Sequence, residues 1–187
     1  MAAASRHRSR LAIALAGASL AAVAAVPATG AAGGLMPPPE ACGGLGDDAD
    51  RSPGAQERTM RCLINEVRAR AGRSAVRPSR VLARAARAKN RAMIRCRVFS
   101  HTPCGQTFGT IIRANGYRGR SMGENIAYGN GEYATPRSIL RGWLDSPGHR
   151  RNMLRADWAE QGVDLRPGLH FQGYSGIALW TSHFGRA

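Results

Sequence analysis

The chain has 187 residues with 27 basic and 12 acidic side chains, a formal charge of +15. That length suits one domain and hardly two, and a hydrophobic content of 43% excludes a wholly disordered polymer. Of the basic residues 26 are Arg and one is Lys89, a skew that reads as coding bias toward Arg more readily than as selection for phosphate binding.

In chain order, residues 1–30 read as a secretory signal peptide. Arg6, Arg8 and Arg10 form a positive start, and Leu11 to Val26 is a run of apolar and small residues. Pro27 breaks the run, and Ala28-Thr29-Gly30-Ala31 offers small residues for cleavage. Those 16 Ala-rich residues fall short of the roughly 20 a spanning helix needs. No cysteine follows closely, which disfavours a lipoprotein, and nothing later reads as a transmembrane segment. Removing the three arginines leaves 24 basic against 12 acidic residues, a charge of +12.

Residues 31–55 are Gly/Pro/Asp-rich and read as an N-terminal tether anchored at Cys42; residues 56–187 form the domain. Outside the cytosol four cysteines suggest two disulfides. Cys96 and Cys104 enclose seven residues and make a local clip, leaving Cys42–Cys62 as the second pair. No C-x-x-C pair is present to suggest a cysteine zinc site.

The spacing of Met60, Leu63, Ile64 and Val67 predicts a helix from about Gln56 to Gly72. Ser79 caps a second helix with Leu82, Ala85, Ala86 and Met93 on its apolar stripe, together with the Lys89 stem. Arg80, Arg84, Arg87 and Arg91 take the opposite face. A third helix is expected over Thr107 to Asn115. Thr135-Pro136 opens a fourth, with Ile139, Leu140, Trp143 and Leu144 inward, and Ser146-Pro147 opens a short fifth. Gln161 to Leu165 and Ser175 to Phe184 alternate as strands do. Helices first and strands last argue for an α+β layered domain.

The residues able to carry chemistry are His101, Glu124 and His149. Taken singly, each has an ordinary structural explanation as a turn or cap residue. Their setting carries more. Phe99-Ser100-His101, Gly123-Glu124-Asn125-Ile126-Ala127, and Trp143-x-x-Ser146-Pro147-Gly148-His149-Arg150-x-Asn152-Met153-Leu154 occur in one order. That order closely resembles the CAP superfamily of cysteine-rich secretory, antigen 5 and pathogenesis-related proteins (the SCP domain), nearest its bacterial secreted branch. Leu63-Ile64-Asn65-x-x-Arg68, Gly162-Val163 and Trp180-Thr181-x-x-Phe184-Gly185 extend the resemblance from about Arg58 to Gly185.

The resemblance implies an α-β-α sandwich with a cleft where two His and two acidic residues converge, the His pair binding a divalent metal in several members. His101 and His149 match the histidines and Glu124 the first acid. The position of the second acid is Ser146, with Asp145 beside it but turned away by about 100° on a helix. The end departs too, reading Thr181-Ser182-His183 where members often have Thr-Gln.

Two imidazoles and a carboxylate suit Zn²⁺ with one position left for water. A secreted metal-assisted hydrolase, peptidase-like, is therefore one expectation, with Thr181 or Ser182 positioning substrate. No H-E-x-x-H helix, G-x-S-x-G elbow or free Cys nucleophile supports it. The favoured expectation is a monomeric extracellular or wall-associated binding module, its partner a cell-wall polymer, lipid or peptide ligand attracted by the basic surface. Specific nucleic-acid binding ranks last, because aromatic residues are not interleaved with the basic ones and the chain reads as exported.

Overall fold

The structure, a computed structural model, describes residues 32–186. The proposed signal peptide lies outside the described residues. The helices are α1 (Ala32–Leu35), α2 (Pro53–Arg70), α3 (Arg80–Arg95), α4 (Phe108–Ala114), α5 (Pro136–Asp145) and α6 (Pro147–Met153). The strands are β1 (Arg77–Pro78), β2 (Ser121–Gly129), β3 (Glu160–Phe171) and β4 (Tyr174–Arg186). They form one sheet in the order β1-β3-β4-β2, with β1 parallel to β3 and the other pairings antiparallel. No described helix is long and apolar enough to cross a membrane.

Strand alternation divides the core into two layers. Val163, Leu165, Ala178, Trp180 and Phe184 pack with Met60, Leu63, Ile64 and Val67 of α2 and with Leu140 and Trp143 of α5. On the opposite face, Ile126, Ile177 and Leu179 meet Met93 of α3, and Leu82 and Ala85 of α3 pack on Ile112 of α4. The result is an α-β-α sandwich of the expected α+β class.

Helix starts follow their caps. The side chains of Ser79, Thr107 and Thr135 accept from the backbone N–H of Leu82, Thr110 and Ser138, satisfying donors that the first helical turn leaves free. Ser146 precedes α6 as expected, but its side chain makes no cap bond. Helix α2 begins at Pro53, ahead of the expected Gln56, because Pro stands comfortably at the first helical position after Ser52.

Two strands escape the sequence pattern. β1 is two residues long, and β2 interrupts its alternation with buried Gly123 and Asn125. The β3–β4 hairpin also runs further than expected, joining the two strands across Phe171↔Tyr174.

The N-terminal segment is packed down rather than a loose tether. Arg137 of α5, itself buried, donates to the carbonyls of Pro37, Pro38 and Pro39. The Cys42–Cys62 disulfide fastens the same segment to α2. The second expected bridge, Cys96–Cys104, is also formed, and no described cysteine is free.

Two glycines set distances that the site depends on. A Cβ on Gly162 would collide with the backbone of Leu82 and Ala83, so its absence lets α3 lie directly on the sheet. A Cβ on Gly123 would strike Asn152 and Trp158, so α6 reaches β2 only because that position is Gly.

Candidate functional site

β2 is the edge strand beside β4, and three elements meet along it. Glu124 of β2 stands in register with His183 of β4. Both side chains turn toward α3, because Glu124 reaches Lys89 of that helix. The loop after α3 brings His101 over the top, and α6 brings His149 from the other side of the strand.

Glu124 is the hub. Its Oε1 accepts from His101 Nδ1 at 2.6 Å and its Oε2 from His183 Nε2 at 2.8 Å. The Lys89 Nζ stands 3.1 Å from Oε1. An ionised carboxylate only accepts, so both imidazoles must present N–H groups to it. The side chains of Lys89, Glu124 and His183 are 0% exposed, whereas that of His101 is 52% exposed. Burial alone would raise the Glu124 pKa, but the bonds from His101 and His183 and the charges of His183 and Lys89 outweigh it, bringing it down to about 2. Burial pushes the Lys89 ammonium below its usual range, and Glu124 opposes that push. The carboxylate is therefore ionised, held from below by the His183 N–H and by the charge of the nearby Lys89 ammonium.

The rim is built differently. His101 lies in the loop closed by Cys96–Cys104, where Ser100 Oγ accepts from the Thr102 N–H at 3.0 Å. Its ring stands edge-on to Phe108, with centroids 6.4 Å apart. With Nδ1 committed to Glu124, its Nε2 is the atom left for a ligand. His149 occupies the first turn of α6, placed through its backbone: Asn125 Nδ2 donates to the His149 carbonyl at 3.2 Å, and Asn152 Nδ2 donates to Asn125 Oδ1 at 2.9 Å. Burial, and then the charge of nearby His101, push the His149 pKa down, so this ring favours its neutral form. Its Nδ1 is buried without a partner.

The expected trio is thus unequal: Glu124 binds His101, whereas His149 makes no bond to either. Thr181 and Ser182, expected to position substrate, are bonded inside the fold. Thr181 Oγ1 donates to Asn90 Oδ1 at 2.6 Å, Ser182 Oγ accepts from Gln161 Nε2 at 3.0 Å, and both residues are fully buried. Asp145 is exposed and Ser146 half-buried, so neither supplies a second carboxylate to the hub. Other residues of the recognised motifs are structural. Asn65 exchanges two bonds with the backbone of Val76, and Arg68 donates to the carbonyls of Ser74, Met153 and Arg155.

Sequence reasoning missed Lys89 and His183. Lys89 was expected to bury only its stem, yet its ammonium is buried too. Its signal was a charge in mid-stripe on α3. His183 shares the face of Ile177, Leu179 and Thr181 by simple alternation, which points it inward.

The resemblance implies a divalent metal on the pair His101 and His149, and the chemistry of the three side chains adds Glu124 as a third ligand. Glu124 does not fit that role, since a dication on Oε1 would share the oxygen with an ammonium 3.1 Å away. Its other oxygen is taken by His183. Among the described residues, no group of three or more His, Cys, Asp or Glu side chains is arranged to hold a metal ion.

Comparison with known proteins places this geometry. The family model described as "Cysteine-rich secretory protein family" (CAP) matches residues 62–168, a stretch that includes Lys89, His101, Glu124 and His149 but stops short of His183. The "Uncharacterized protein YkwD" of Bacillus subtilis (strain 168) is 30% identical over 141 residues, covering 73% of this chain and 49% of the relative. The chain therefore spans about half the length of the curated relative it matches. An extracellular protein containing a SCP domain from Bacillus anthracis superposes with a TM-score of 0.60 at 23% identity, covering 75% of this chain and 45% of that one. An outer surface protein from Borrelia burgdorferi superposes with a TM-score of 0.61 at 18% identity, covering 73% and 96%. These structural likenesses show the fold. With the family model matched over more than half its length, the chain belongs to the cysteine-rich secretory protein family, the CAP proteins.

Proposed function

We propose that this CAP protein is an extracellular binding module for an anionic polymer of the cell surface. The location is supported by two structural neighbours, described as an extracellular and an outer surface protein, and by the signal-like start of the sequence. The observation that carries the ligand class is a groove of about 740 Å³ where the end of α3 meets the β3–β4 hairpin. Arg95, Arg97 and His170 line it over Phe171, with no acidic residue among the lining side chains. Cys96 lies between the two arginines, so the disulfide loop that carries His101 grows from the same groove. Cationic walls over a partly apolar floor favour a ligand with repeated negative charge and some apolar surface.

The test is co-sedimentation or calorimetry with a glycerol-phosphate polymer and with a neutral polysaccharide of similar length. Binding to the charged polymer that falls at least tenfold in Arg95→Ala/Arg97→Ala is the expected result. Equal affinity for both polymers, or no loss in the variant, contradicts it.

A second reading, hydrolysis in the cleft of His101 and Glu124, is favoured by one observation. Glu124 bonded to His101 Nδ1 leaves Nε2 free to take a proton from water, the arrangement by which a carboxylate orients a catalytic imidazole. On this reading the work falls to Glu124 and His101 without a metal on the carboxylate. Peptide cleavage that survives a chelator and disappears in His101→Ala would support it. Cleavage that a chelator stops would restore the metal-assisted form.

A further inference from the structure

We infer that Lys89 is the resident cation of this cleft and that it bars Zn²⁺ from Glu124. Four observations carry this. The Lys89 ammonium is fully buried and lies 3.1 Å from Glu124 Oε1. The opposite oxygen accepts from His183 Nε2 at 2.8 Å, so each carboxylate oxygen faces a buried nitrogen. The bond from Oε1 to His101 Nδ1 withdraws from His101 the nitrogen nearest the carboxylate, leaving only its outward Nε2 for any ligand. Finally, the described residues hold no cluster of three or more metal-ligating side chains.

The composition points the same way. Of the 27 basic residues in the sequence, 26 are Arg. A bias toward Arg acts on every basic position, yet the one position that keeps Lys is the one sealed against Glu124. The chemistry explains the exception. A guanidinium is planar and wide, with five donors to satisfy, whereas an ammonium is a compact point charge that fits between a helix and a sheet in close contact. Gly162 draws α3 that close to the sheet. A dication approaching Oε1 would meet a fixed positive charge at short range in surroundings from which water is excluded, where such repulsion is poorly screened. Any metal the cleft takes would then be held by His101 Nε2 and His149 alone, more weakly and without Glu124.

Zn²⁺ binding to the secreted protein, measured by competition against a chromogenic chelator, tests this without reference to any polymer ligand. The readout is Zn²⁺ affinity relative to wild type. Lys89→Met, which keeps the length and removes the charge, should raise it at least tenfold, and Glu124→Gln in that background should abolish the gain. A folded Lys89→Met protein with unchanged affinity overturns the inference, as does a gain that survives Glu124→Gln in that background. Should Lys89→Met fail to fold, Lys89→Gln takes its place: at least a tenfold gain is expected, and a folded variant with unchanged affinity overturns the inference.

Discussion

The floor and the rim of the cleft follow opposite rules. On the floor, Lys89, Glu124 and His183 are sealed between α3 and the sheet, and every charge has a partner. On the rim, His101 is half-exposed on a disulfide-closed loop, and His149 is fixed by its backbone while its ring stays free of bonds. The floor is therefore a fixed electrostatic support, and the rim is where a ligand can be met. A buried ion pair seldom adds net stability over an apolar core, because desolvation offsets the attraction. Its retention here is best explained by what it holds: a carboxylate aimed at His101.

That contrast breaks most visibly at Lys89. Removing one partner of a buried pair leaves an unpaired charge, which costs about 3–5 kcal/mol. Lys89→Ala should lose stability on that scale in urea unfolding, whereas Lys89→Met combined with Glu124→Gln should recover a large part. A Lys89→Ala protein as stable as wild type would mean that the floor is not sealed.

Acid should withdraw the floor's contribution to the stability of the fold. The folded Glu124 pKa, about 2, lies below that of an unfolded carboxyl, about 4.3. A depressed carboxylate stabilises the fold above the unfolded value, and that contribution is lost as pH falls through the folded one. Stability measured between pH 5 and pH 2 should therefore fall less steeply in Glu124→Gln than in wild type. Parallel curves would show that Glu124 is not held as described.

The smallest effect belongs to the rim. The Cys96–Cys104 clip closes a short loop, and its loop-closure entropy amounts to roughly 2–3 kcal/mol in the chain-entropy model. Cys96→Ser should lower stability by no more than that, and should speed hydrogen exchange over residues 97–105 while leaving β2 and β4 protected. Faster exchange throughout the sheet would merge the two regions into one.

Much of the fold was legible because its signals are local. Ser79 and Thr135 announce their helices through caps that need only three residues of context. Both disulfides were readable from the signal-like start and the cysteine spacing. β2 was not, since Gly123 and Asn125 are buried for contacts with α6, a long-range reason that leaves no periodic trace. In the site, the motifs marked His101, Glu124 and His149, but motif order says nothing about which atoms pair. Lys89 looked like a snorkelling side chain because burial of an ammonium depends on a carboxylate 35 positions away. His183 stood at a departure from the family pattern, and only the β2–β4 register brings it to Glu124.

The central claim is that the buried floor holds Glu124 and that Glu124 holds His101 by Nδ1. Long-range ¹H–¹⁵N correlation of the histidine rings reads this directly, because it distinguishes a protonated Nδ1 from a protonated Nε2. For neutral His101 the wild-type spectrum should show the proton on Nδ1, and Glu124→Gln should weaken that preference. A neutral His101 carrying its proton on Nε2 in the wild-type protein would contradict the account.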